Sequence, residues 1–177
     1  MPISPALGSG RLLSVIPTPD GLLDRFVVAA ERCGLLDNGA PTGIWHQALG
    51  APHKAPDFPP DFCAAYVFSL AASYGTRCPA AGNRVLKVGK AGANSNARFS
   101  SQHYPPRSSR SNLANSLLTE RVLWPYLGID DLDELSVKSW MMKNLDRDHF
   151  FVPEIHAGLE RELERYLRGR LGPVFEG

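Results

Sequence analysis

Lys87 interrupts an otherwise apolar run, Val85-Leu86-Lys87-Val88-Gly89. On a two-faced strand it shares a face with Val85 and Gly89. A lysine held near other cations and partly desolvated gives up its proton more readily and serves as a base; the alternative is a solvent-facing lysine on an edge strand. Upstream, Tyr66 sits in a second apolar run, Ala64-Ala65-Tyr66-Val67-Phe68. Alternation along a strand aims its phenol either at the same cleft, where it positions or deprotonates water, or into the core. Arg98 offers a planar fork that matches phosphate, or else is a surface arginine with a packed stem. His103, five residues on, either moves a proton or plays a structural part. Gly89 permits close approach of backbone to phosphate, or a bend at the end of the strand. Glu164 and Arg168 are an i, i+4 pair with Glu160 one turn before, which by itself reads as a salt-bridging helix face.

The local charge supports an anionic partner. Between residues 62 and 119 there is no Asp or Glu, whereas Arg77, Arg84, Lys87, Lys90, Arg98, Arg107 and Arg110 all fall there. The acids are concentrated later, at Asp130, Asp131, Asp133 and Glu134 and along the last helical segment. A net charge of +1 therefore conceals a basic middle third of the kind that attracts phosphates, with Arg84, Lys90, Arg107 and Arg110 as candidate nucleic-acid contacts. The plainer reading is a basic run that only solubilises loops.

These residues need elements to hold them. The chain has 177 residues, 44% hydrophobic and 21% charged, enough for one core and unlike disorder or a fibre. No apolar run reaches the ~20 residues of a membrane span, and residues 1–10 lack the pattern of a signal peptide. Cys33, Cys63 and Cys78 make no Cys-x-x-Cys pair, so a reducing, cytoplasmic setting is expected, with no membrane partner.

Apolar spacing predicts a helix over 21–36, capped by Thr18 or Asp20 and ended by Gly34. Proline-rich loops follow to residue 61, with a short helix at 44–49. Strands are predicted at 64–70, 84–89 and 149–152, and helices at 97–102, 113–123 and 136–145. The last helix starts from Pro153 and is marked by Ile155, Leu159, Leu163, Leu167 and Leu171 at every fourth residue. The expected fold is α+β: a small three-stranded antiparallel sheet flanked by helices, with residues 1–61 as an N-terminal arm and helix that contacts DNA or a second copy, and residues 62–177 as the main domain. His46, His53, His149 and His156 read as structural. No P-loop, nucleophile elbow or His-Glu-x-x-His site is present.

The run Val85-Leu86-Lys87-Val88-Gly89-Lys90-Ala91, followed by Arg98-Phe99-Ser100-Ser101, resembles the second half of the GIY-YIG nuclease motif. Ala64-Ala65-Tyr66-Val67 resembles its first strand. Glu164, with Leu167 at +3 and Pro173 at +9, resembles the catalytic glutamate helix and the proline that ends it. The resemblance covers residues 62–177. Lys87 at the YIG tyrosine position makes the chain similar to restriction endonucleases of the superfamily, while Ala64 and Ala65 stand where Gly-Ile is usual.

The resemblance implies a DNA endonuclease, restriction-like and site-specific, using Mg²⁺ or another divalent cation such as Mn²⁺. Glu164 would hold the metal, Arg98 the phosphate, and Lys87 and Tyr66 would activate water, with His103 assisting. Cleavage would leave a 5′-phosphate and a 3′-hydroxyl. Duplex DNA is the expected partner, and cutting two strands suggests a homodimer. The alternatives are a structure- or strand-specific repair or defence nuclease, and a nucleic-acid-binding module without catalysis.

Overall fold

The computed structural model describes residues 18–74, 84–93, 95, 96, 99, 102–107 and 113–175. The elements run α1 (Pro19–Arg32), β1 (Trp45–Leu49), β2 (Phe62–Leu70), β3 (Val85–Ala91), α2 (Leu113–Thr119), α3 (Trp124–Leu127), α4 (Val137–Asn144), β4 (Leu145–Pro153) and α5 (Leu159–Leu171), with 3-10 turns at Arg121–Leu123 and Glu154–His156. The class is α+β, as expected. Among the described residues, four strands rather than three form one antiparallel sheet in the order β1-β4-β2-β3.

The added strand, β1, occupies the segment read as a short helix. Five residues are too few to show a period, and pairing decides their state. Trp45 pairs with Phe151 and Leu49 with Arg147, and the Trp45 ring lies 4.3 Å from that of Phe151. The structure departs from two other expected boundaries. Pro153 does not open the last helix. It ends β4, opposite Phe62, and α5 starts six residues later, after Gly158 at φ +102°. Ile155 therefore stands exposed in a 3-10 turn. The helix expected to run to residue 123 stops at Thr119 and gives way to a 3-10 turn.

β2 is covered on both faces, and strict alternation divides it between two cores. Ala64, Tyr66, Phe68 and Leu70 join a cluster with Leu113, Leu117 and Met141. Cys63, Ala65 and Val67 join another with Leu22, Phe26 and Ala30 of α1 and Leu159, Leu163 and Leu167 of α5. The four-residue leucine spacing thus buries one stripe of α5 against the sheet. Thr18 caps α1, its hydroxyl accepting from the Gly21 N–H at 3.2 Å. His46 joins α1 to the sheet, with Nδ1 2.9 Å from Asp20 and Nε2 2.9 Å from Asp148. Burial alone lowers the His46 pKa, but the hydrogen bonds and charges of Asp148 and then Asp20 outweigh it, and the net shift is upward.

β3 is an edge strand. Its first residues are capped on the outer side by the C-terminal segment, where the N–H groups of Val174 and Phe175 donate to the carbonyls of Val85 and Leu86 at 3.0 and 2.8 Å. No strand pairs with that side beyond them, among the described residues. None of their helices is long and apolar enough to cross a membrane.

Candidate active site

Tyr66 and Gly89 pair across β2 and β3, and Phe68 pairs with Lys87. Paired residues share a face, so Tyr66, Lys87 and Gly89 point to the same side of the sheet. Val85 does not join them as simple alternation predicts. A bulge at Phe68/Ser69 shifts it opposite Ser69 and onto the other core.

Gly89 answers a local need. A Cβ there would sit 2.5 Å from the Tyr66 hydroxyl oxygen and 2.6 Å from Cζ. The phenol therefore lies over β3 at the one position of that strand without a side chain. Gly89→Ala is expected to destabilise the fold by about 1–3 kcal/mol through overpacking. A double-mutant cycle with Tyr66→Ala checks this. The glycine substitution should cost less where the ring is gone, and strict additivity would show that the two do not collide.

His103 packs edge-on against the same rings, 4.7 Å from Tyr66 and 5.3 Å from Phe68. Tyr66, Lys87, Gly89 and His103 thus come together on one face. They are covered: Tyr66 is 1%, Lys87 4% and His103 4% exposed. Arg98 and Arg110 lie outside the described residues.

Glu164 arrives from the other side. Its helix, α5, packs beneath β2 and β3 on the opposite face. The carboxylate is 13% exposed, and Oε1 accepts from Arg168 at 3.1 Å. Oε2 takes no hydrogen bond among the described residues. The described residues contain no group of three or more His, Cys, Asp or Glu placed to hold a metal. A single carboxylate with one oxygen to spare fits Mg²⁺, which keeps several waters and binds through one or two carboxylates plus substrate phosphate.

The candidate nucleic-acid contacts do not form one uniform basic surface. Arg84 is half-buried and donates to the Leu70 carbonyl at 2.5 Å, fastening the start of β3 to the end of β2. Lys90 is half-buried on β3. Arg107 is exposed and bonds Glu134, at 3.1 Å to Oε1 and 2.9 Å to Oε2.

Compared with family models, curated proteins and solved structures, the chain finds no match in any of the three.

A polar cluster that the sequence reading passed over lies on the same face. Arg147 is fully buried on β4, its guanidinium 4.7 Å from the Phe68 and Phe99 ring centres and 5.6 Å from that of Tyr66. It donates to the Tyr104 hydroxyl at 3.2 Å and to the Phe99 carbonyl. His53 Nε2 is 3.0 Å from the same hydroxyl. His149, also fully buried, stacks 4.6 Å from Phe99. Burial first, and the Arg147 charge second, push the pKa of both histidines down, that of His149 to about 2. The signal was present as Arg147, His149 and Phe151 at a spacing of two, but Asp146-Arg147-Asp148 reads locally as solvated chain.

Proposed function

We propose that the protein is a metal-dependent DNA endonuclease with a GIY-YIG-like arrangement, restriction-like and site-specific, acting on duplex DNA in the cytoplasm. The observation that supports this most is the tyrosine laid over a glycine on an edge strand, with a lysine two residues before that glycine on the same face. It brings a phenol and an ammonium, two groups able to handle a water proton, to one face of one strand pair.

In this reading a phosphodiester lies along the open side of β3, an edge that both sheet faces reach. Lys87 and Tyr66 orient a water and take its proton. Arg98 grips the phosphate, and Lys90 adds positive charge. His103 relays the proton. Glu164 holds Mg²⁺ or Mn²⁺, which when bound neutralises phosphate charge and stabilises the leaving oxyanion. Because Tyr66 and Lys87 are covered, substrate binding includes a shift of the residues over them. Two copies, each cutting one strand, account for double-strand cleavage, with residues 1–61 as the extension that contacts DNA or the second copy.

The test is incubation of the purified protein with unmethylated plasmid and phage DNA, with Mg²⁺ and with chelator. Discrete Mg²⁺-dependent bands are expected, with 5′-phosphate ends. A smear would retain the nuclease and remove site specificity. Intact DNA together with salt-dependent binding would leave a binding module instead.

A further inference from the structure

Arg147 is hard to explain as packing. Among the described residues it is the largest fully buried side chain, and its Nε has no hydrogen-bond partner there. No carboxylate pairs with it among the described residues. Burial pushes its pKa down, opposed only by the nearby Tyr104 and Tyr66. A buried cation without an anionic partner is costly, and methionine would fill the same space without that cost. What methionine lacks is donors.

The donors of Arg147 have particular targets. One bonds the carbonyl of Phe99 and another the hydroxyl of Tyr104, two residues that bracket His103 in the chain. The guanidinium plane meanwhile rests on Tyr66 and Phe68, the two rings that His103 packs against. Tyr104 is gripped from a second side by His53. Arg147 thus ties the backbone on one side of His103 and the side chain on the other to the strand face carrying Tyr66.

We propose that Arg147 is a positioning residue: a buried guanidinium that holds His103 in register with Tyr66 by fixing Phe99 and Tyr104 against β4. Its consequence for catalysis rests on the nuclease reading; its consequence for the placement of His103 does not.

The experiment compares wild type, Arg147→Met, Arg147→Lys and Tyr104→Phe. Each is checked for folding, then measured for duplex binding, for single-turnover cleavage with Mg²⁺, and for the His103 ring signal in a ¹³C–¹H spectrum, assigned with His103→Gln. Arg147→Met should bind DNA like wild type, cleave about 10²-fold more slowly, as expected for a misplaced catalytic group, and shift the His103 signal. Arg147→Lys should recover part of the rate. Tyr104→Phe, which removes one hydroxyl and leaves the packing intact, should show a smaller loss in the same direction. It decides the matter with Arg147→Lys if Arg147→Met does not fold. A folded variant with the wild-type rate and an unmoved His103 signal overturns the proposal. Should wild type itself leave DNA intact, the nuclease reading falls, and the His103 signal alone decides whether Arg147 holds that segment.

Discussion

If the protein is the nuclease proposed above, replacing Glu164 by glutamine is expected to lower Mg²⁺-dependent cleavage by about 10³-fold, the scale of losing one pre-placed source of charge stabilisation in the transition state. The fold and duplex binding should survive. Glutamine keeps the shape of the side chain and an oxygen for Arg168, and an i, i+4 pair along a helix contributes only about 0.3–0.5 kcal/mol. Glu160 is the control on the same helix. It is buried, and its Oε2 accepts from the Gly158 N–H at 2.6 Å, so it closes the start of α5. Glu160→Ala should therefore cost stability, about 0.5–2 kcal/mol as for other helix caps, and leave cleavage unchanged. Cleavage rates, mobility shifts and urea unfolding of the two variants separate the roles. If Glu164→Gln cuts like wild type, the metal does not sit on Glu164.

Acid should destabilise the protein well above the range where carboxylates titrate. His149 is fully buried and its pKa lies near 2, against 6.5 for a free histidine. Below pH 6.5 the unfolded chain binds a proton at this position and the folded one does not. The stability that neutral His149 permits is fully present above pH 6.5 and lost progressively as pH falls toward 2. The loss is about 1.4 kcal/mol per pH unit, or roughly 2.7 kcal/mol by pH 4.5, a large share of the 5–15 kcal/mol typical of a domain. His53, whose pKa is also lowered, acts in the same direction. His46 acts in the opposite one. Its raised pKa gives a contribution that is complete below pH 6.5 and is lost as pH rises through the folded value. Urea unfolding of wild type and His149→Phe at pH 7.5, 6.0 and 5.0 isolates the term. The variant should show a clearly flatter decline, and parallel curves would mean that His149 is not held neutral by burial.

Elements whose signal is local were legible. The leucines at 159, 163 and 167 define α5 without reference to the rest of the chain, because a stripe at helical spacing is buried wherever the helix docks. The strands carrying Tyr66 and Lys87 were legible for the same reason, as apolar runs bounded by turns. The boundaries that failed depend on distant partners. Residues 44–49 become a strand only because β4, about a hundred positions later, offers its edge. Pro153 belongs to that strand because Phe62 pairs with it.

The candidate site divides along the same line. Residue type and order single out Tyr66, Lys87 and His103 as chemically able, and the family resemblance adds Glu164. That Gly89 makes room for the Tyr66 ring, that Lys87 and His103 share a face with it, and that Glu164 comes from beneath the opposite face are consequences of register and packing. The basic run of residues 62–119 looks uniform in one dimension, yet folding buries Lys87, fastens Arg84 to a carbonyl and brings Glu134 to Arg107. Arg147 went unread because flanking aspartates make the segment look solvated, and only sheet pairing carries it into the core beside His149. The sequence by itself determined the elements with a strong local pattern, such as α5 and the strands carrying Tyr66 and Lys87, and which side chains carry reactive groups, since both are properties of short stretches. Only the tertiary structure decided which of those groups lie buried together, because that follows from contacts between residues far apart in the chain.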